Sequence, residues 1–466
     1  MTLSSAFSAA LSGLSASTRR ADVVASNIAN AQTPGYVRRQ VDLAPAGPEA
    51  GRSGVQVRGI VRLQDAALLA DRRLAQAASA DAEVAAGFLK TAEGAFGTPD
   101  QPGSLGARLA RLDAALTTAS AQPASDARLA EVQGALSSLT LGLRQATATV
   151  QSARQAADTR IAAEVGRLNT SLAQVDALND RIATDRAAGN DITPLLDQRQ
   201  MLVDGIAAIA PLREVARDQG RIALYTIGGA VLLEDNPARL DFDQTPMIGA
   251  EDADLGGLRL NDRPVTMGAG GVLDGGSLGA LFRLRDDLAP QAQARLDHVA
   301  ADLAGRLAAT DSHAGMGWLT DRGNALDPTG RSGLAGRLAV NVRLDPAQGG
   351  ALWRLRDGLS AAQPGALGNG GRLTAQASAL AAGQGVPSMS GLMADLLGQT
   401  AQARLEGEQQ SSFATARTTA LVQVEQEKGV DTDAELQDLM QVEQAYGANA
   451  KVIQTLDDLM KLLLGM

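Results

Sequence analysis

The stretch Leu439-Met440-Gln441-Val442-Glu443-Gln444-Ala445-Tyr446-Gly447-Ala448-Asn449-Ala450-Lys451-Val452-Ile453-Gln454-Thr455-Leu456-Asp457-Asp458-Leu459-Met460-Lys461-Leu462-Leu463 decides how this chain is read. Leu439, Val442, Tyr446, Asn449, Ile453, Leu456, Met460 and Leu463 follow one another at alternating intervals of three and four. That is the a/d seam of a supercoiling helix, and the charges of Asp438, Glu443, Lys451, Asp457, Asp458 and Lys461 fall off it. So narrow an apolar stripe suits a partner helix better than a broad core. The partner is expected at the other end of the chain, where Leu3, Phe7, Ala10, Leu14, Ser17, Ala21, Val24 and Ile28 alternate in the same way. A terminal helix packed on its own domain would explain one such stripe; two matching stripes at opposite ends favour a shared bundle. Each seam carries one polar member, Ser17 or Asn449, and polar seam positions set register at a cost in stability.

With 466 residues the chain has room for two to four domains. Aromatic residues are only 2%, so its core is thin and must be built largely from Ala and Leu. The net charge of −10 argues against nucleic acid or an anionic membrane as partner. With no Cys there is no disulfide, thiolate metal site or Cys nucleophile, and such a chain tolerates oxidising surroundings. No apolar run approaches the ~18–20 residues of a membrane span, so no membrane insertion is expected. No Lys or Arg precedes Arg19, so the N-terminal stretch lacks the basic start of a cleaved signal peptide and is read as retained.

Between the ends, the first helix should stop near Asn27–Asn30. Pro34-Gly35 suits the centre of a type II turn. Residues 41–62 read as extended, with Val55, Val57 and Ile60 alternating and Pro45, Pro48 and Gly51 forming a linker before them. From about 64 to 210 the pattern is helical, broken at Gly97-Thr98-Pro99 to Gly103, Gln122-Pro123 and Gly189-Asn190. Ile161, Val165, Leu168, Leu172, Val175, Asn179 and Ile182 continue the same alternation. Thr193 reads as the N-cap of a helix with Pro194 in its first turn. Strands are expected at Ile222–Ile227, Val231–Leu233 and Leu258–Leu260. A helix should start after Ser277, run to about Ala309 and kink at Pro290, and another should span Ser390 to Lys428.

The turn segment Asn27-Ile28-Ala29-Asn30-Ala31-Gln32-Thr33-Pro34-Gly35-Tyr36, preceded by Leu11-Ser12-Gly13-Leu14, resembles the N-terminal signature of bacterial flagellar axial proteins, the rod and hook family. Gln444-Ala445-Tyr446-Gly447-Ala448-Asn449-Ala450 resembles the block that closes the same proteins. Rod and hook proteins join these blocks through mostly β middles, whereas here about 150 residues of helix follow the turn, as in flagellins. The hybrid resembles the member of the family that joins hook to filament, as do Leu196-Asp197-Gln198-Arg199 and Gly276-Ser277-Leu278-Gly279. A hook or distal rod protein is the alternative within the family, and a secreted coiled-coil effector, which has no use for the Pro-Gly-Tyr turn, lies outside it.

Catalytic candidates are few. Gly275-Gly276-Ser277-Leu278-Gly279 fits the Gly-Xaa-Ser-Xaa-Gly elbow of a serine hydrolase, with Asp297 or Asp311 and then His313 in the right chain order. The repeated βα units such an elbow needs are missing, so Ser277 is read as a helix cap. His298 and His313 are the only histidines and make no metal motif; Glu251-Asp252 and Asp286-Asp287 read as solvated surface. Gly268 to Gly276 lacks the Lys-Ser/Thr of a phosphate loop.

The expected fold is therefore mainly α with a small β subdomain, built on long coiled-coil-like helices with the N- and C-terminal helices paired in a bundle. The expected parts are a terminal assembly domain (1–40 plus 430–466), a helical domain (41–210 plus 278–310 plus 390–429), a β subdomain (211–277) and a Gly/Pro-rich irregular insert or reduced outer domain (311–389). The assembly interface is expected at Leu3, Phe7, Leu14, Val24, Ile28, Leu439, Val442, Tyr446, Asn449, Ile453, Leu456, Met460 and Leu463, beside the turn residues Asn27, Asn30, Thr33, Pro34, Gly35 and Tyr36. No catalytic residue, cofactor or metal is expected. The resemblance implies secretion by the flagellar export route and self-association in a ring or helical lattice. It also implies hook protein and the third hook-associated protein as neighbours, and an export chaperone on the C-terminal helix.

Overall fold

The computed structural model describes residues 3–46, 54–98, 100–268, 270–327, 329–381 and 385–464. Pro48, Gly51 and Pro99 lie outside these residues, as does the side chain of Leu463. In chain order, α1 (Leu3–Asn30) leads to the ribbon β1 (Arg39–Pro45) and β2 (Val55–Arg62), then to α2 (Ala66–Phe96), α3 (Leu105–Ala121), α4 (Asp126–Ala187) and α5 (Thr193–Ile209). The breaks between these helices fall at the Gly and Pro clusters, because Pro lacks the amide that continues a helix and Gly gains nothing from helical φ/ψ. Ser104 caps α3, its side chain accepting from the Ala107 amide at 3.1 Å. At α5 the capping oxygen belongs to Asp191, which accepts from the Thr193 amide and hydroxyl at 2.9 and 2.8 Å. Thr193 is thus the first helical residue and not the cap.

Six short strands follow, and they form two separate antiparallel sheets within 211–277. One contains β3 (Leu212–Ala216), β4 (Ile222–Thr226) and β5 (Val231–Leu233); the other contains β6 (Leu240–Phe242), β7 (Leu258–Leu260) and β8 (Arg263–Val265). Next, α6 (Gly276–Arg283) passes through a π-turn at Leu284–Leu288 into α7 (Ala289–Thr310). That turn is how the helix accommodates Pro290. The Ala289 amide reaches back five residues to Leu284 O, so the register changes just before the residue that has no amide to donate.

The chain divides into two compact units, Met1–Ser79 with Arg167–Arg239 and Ala414–Met466, and Ala80–Gly166 with Leu240–Phe413. In the first unit α1 packs against α12 (Thr432–Leu464), and β1 pairs with β2 under α1. The α4 positions Leu168, Leu172, Val175, Asn179 and Ile182 are all buried there, as their alternation predicted. Leu178, Ile182 and Leu195 form a core cluster with Ile192, Leu196 and Leu202 packed on it.

In the second unit, Leu129, Val132, Leu136, Leu139, Leu143, Ala146 and Val150 line one buried face of α4. The stretch 311–389, expected to be an irregular insert or reduced outer domain, is woven into this unit. It contains β9 (Leu319–Asp321), α8 (Leu334–Arg337), β10 (Leu338–Val340), α9 (Arg354–Asp357) and α10 (Gly371–Leu380), before α11 (Met389–Glu427). Trp318 is fully buried and donates to Asp311 Oδ2 at 2.9 Å, while Trp353 is only half-buried, with Arg354 over its ring. Asn341 donates to Gly317 O at 2.8 Å and Arg343 to Leu359 O at 2.9 Å. Order here rests on such side-chain bonds to backbone, which leave no period in the sequence.

Candidate assembly surface

Helices α1 and α12 run antiparallel. Gly13 faces Asn449, Arg20 pairs with Asp438, and Asn27 with Glu435. Gly13 admits the close approach: a Cβ there would stand 2.8 Å from both amide atoms of Asn449. Asn449 itself donates to Ala445 O of its own helix at 2.9 Å, so its pairing with α1 is a matter of shape and not of a hydrogen bond across the seam. Ala10, Ser17, Val24 and Val442 are buried, and Leu14, Ile28, Leu439, Asn449, Ile453 and Leu456 are half-buried. The seam stays open elsewhere: Leu3, Phe7, Tyr446 and Met460 are 40, 44, 45 and 52% exposed. Leu11, Leu436, Met440, Val452, Leu459 and Leu462 add exposed apolar surface off the predicted stripe.

The turn segment is tied to this pair by one buried amide. Asn27 Oδ1 accepts from Tyr36 Oη at 2.8 Å and from the Arg39 amide at 3.0 Å. Its Nδ2 donates to Arg39 O at 2.9 Å and to Glu435 Oε2 at 3.0 Å. All four hydrogen-bonding positions of the amide are filled, which is what a side chain only 1% exposed requires. Asn30 donates to Ser26 O at 2.9 Å and closes α1, and Thr33 Oγ1 donates back to Asn30 Oδ1 at 3.3 Å. The Tyr36 amide donates to Thr33 O at 3.1 Å across Pro34-Gly35, and Gly35 has φ of +78°, the left-handed value a type II turn needs.

From sequence, Glu435 has no assigned role, and Asp197 and Arg199 figure only as part of a resembling segment. Glu435 is buried and accepts from Arg38 Nε at 2.6 Å; in the sequence it looks like an ordinary acid in the first turn of a helix. Asp197, in the Leu-Asp-Gln-Arg segment, holds Arg39 at 2.7 Å and Arg62 at 2.8 Å and so clamps both strands of the ribbon. Burial lowers the Arg62 pKa, and Asp197 opposes that shift. In the same segment Arg199 donates to Asn179 Oδ1 at 2.9 Å and Gly220 O at 2.7 Å, and burial brings its pKa down to about 10.

The hydrolase candidates do not converge. Gly275 is the N-cap of α6, and Ser277 lies inside the helix, donating to Glu164 Oε2 at 2.6 Å. The expectation that Ser277 caps is corrected by this geometry: two residues with positive φ, Gly275 and Gly276, move the helix start ahead of it. Asp297 accepts from the Gly333 and Ala335 amides at 2.7 and 2.8 Å, Asp311 from Trp318, and His313 bonds Ser360 at 3.3 Å. Asp252 accepts from the Gly249 amide at 2.7 Å, and Asp286 pairs with Arg285 at 2.7 Å. Among the described residues, no group of His, Asp and Glu is placed to hold a metal, and no helix is long and apolar enough to cross a membrane.

Residues 89–322, half of the chain, match the family described as the flagellar hook-associated protein FlgK helical domain. The chain belongs to the FlgK family. Its ends match two further flagellar families, the flagella basal body rod protein at 7–36 and the flagellar basal body rod FlgEFG protein C-terminal region at 426–466. It is 25% identical over 317 residues to flagellar hook-associated protein 1 of Salmonella typhimurium, covering 65% of this chain and 55% of that one. It is 24% identical over 244 residues to flagellar hook-associated protein 1 of Escherichia coli K12, covering 51% and 44%. The chain thus spans about half the length of the curated relatives it matches. The solved flagellar hook junction protein FlgK from Burkholderia pseudomallei aligns over 54% of this chain and 46% of that one, at 18% identity and a TM-score of 0.47. FlgK proteins are structural proteins of the bacterial flagellum, and the mainly α fold with small sheets agrees with that membership.

Proposed function

We propose that this chain is a structural, non-enzymatic subunit that joins hook to filament by self-assembly through its terminal helices. The observation that supports this reading best is the unspent apolar surface of the α1–α12 pair: Leu3, Phe7, Tyr446 and Met460 remain exposed although the two ends already cover each other. An isolated subunit has no use for that surface, and a lattice of copies would bury it. The seam residues named above, Leu463 included, form the contact, and the Asn27–Tyr36–Glu435 network holds the two helices in the register that presents it. The FlgK helical domain favours the junction over the hook or distal rod alternative. On this reading the subunit leaves the cell by the flagellar export route, a chaperone covers α12 before assembly, and hook protein and the third hook-associated protein are its neighbours.

Immunogold labelling of isolated flagella tests the reading. Label confined to the hook–filament boundary is the expected result; label along the hook or rod would overturn it.

A further inference from the structure

We propose that a cleft in the first unit binds an oxyanion carrying two or more negative charges. The cleft, about 750 Å³, lies between α1, β2, the start of α2, the end of α4 and one face of α5. Six arginines line it against three carboxylates, in a chain whose net charge is −10. Arg19, Arg58 and Arg186 are exposed there and form no ion pair among the described residues.

The carboxylates are mostly committed elsewhere. Asp191 caps α5, and Glu214 pairs with Arg73 at 2.7 Å, which leaves Asp42 against three unpaired guanidinium groups. Behind the wall Arg62 is paired with Asp197 at 2.8 Å and Arg73 with both Asp204 and Glu214, at 2.6 and 2.7 Å, so only Arg199 is left without a carboxylate partner among the described residues. Buried Arg199 donates to neutral oxygens of Asn179 and Gly220. Burial brings Arg199 down to about 10, so it is still cationic at neutral pH. Guanidinium forks at the rim present paired N–H donors that match two oxygens of a phosphate, sulfate or carboxylate. Unpaired positive charge at the rim of a cleft raises the local concentration of such anions.

The site is independent of the assembly reading, and its test does not need assembly. Calorimetric titration and thermal melting of the full chain with sodium pyrophosphate, against sodium chloride at equal ionic strength, probe it directly. The expected result is one saturable site and a rise in Tm that chloride does not produce. The Arg58→Gln/Arg186→Gln double variant should bind pyrophosphate about tenfold more weakly or worse, with an unchanged ligand-free melt, because both side chains are exposed and unpaired. Binding no different from chloride, or equal binding by the double variant, would overturn the proposal. Light scattering then separates the two sources of the anion. If a second copy's carboxylates occupy the cleft, saturating pyrophosphate slows self-association of the wild type; if a free anion does, the rate is unchanged.

Discussion

Asn27 and Glu435 are 408 positions apart in the chain and share a buried 3.0 Å hydrogen bond. That bond joins the turn at the end of α1 to the first turn of α12, and Arg38 holds the other oxygen of the same carboxylate at 2.6 Å. The two ends of the chain are therefore fastened together through one buried polar network.

Asn27→Ala should cost about 2–4 kcal/mol, since it leaves the Arg39 backbone amide and carbonyl without their partner and takes one donor from the buried Glu435 carboxylate. Glu435→Gln should cost less, about 1–2 kcal/mol, because an amide oxygen can still accept from one of the two donors. Urea denaturation followed by circular dichroism measures both; equal, negligible losses would mean the network does not hold the ends.

The terminal seam separates into covered and open positions. Val442→Asp buries a carboxylate at a site 2% exposed and should lower stability by several kcal/mol. Met460→Asp changes a half-exposed position, so the melt of dilute protein should move by less than about 0.5 kcal/mol while self-association fails. Sedimentation velocity beside thermal melting distinguishes the two. A Met460→Asp protein that still assembles would remove α12 from the interface. Leu456→Asp, at a half-buried position, should fall between these limits.

Gly35→Ala meets two obstacles, the φ of +78° and Met201 Cγ at 2.5 Å from the new Cβ. The backbone conformation alone should cost about 1–2 kcal/mol. Pairing the change with Met201→Ala should recover only the steric part, and a double-mutant cycle of Tm values gives the split. Full recovery would show that the left-handed conformation costs nothing here.

Ser277→Ala removes the 2.6 Å bond to Glu164 and should lower stability by about 1–2 kcal/mol, with motility kept. Esterase activity that vanishes in this variant would contradict the structural reading of the chain.

The period of apolar residues along the sequence was enough to place the long helices. Ile161 to Ile182 alternate by four and three, and every one of those seam positions is buried, because a helix facing a core must repeat near 3.6 residues. Pro34-Gly35 likewise announces its turn, since only Gly takes positive φ without strain. Local pattern also foretold that the two ends would pair, but not which seam residues would be covered. That depends on antiparallel register, set by Gly13 against Asn449 and by Asn27 against Glu435, contacts between residues with no local relation. The same limit hid Asp197 as the clamp of the ribbon and left 311–389 looking irregular. A carboxylate between two arginines, or an Asn341 amide bonded to Gly317 O, is decided by where the backbone arrives. Such bonds have direction and no period, so only the folded chain reveals them.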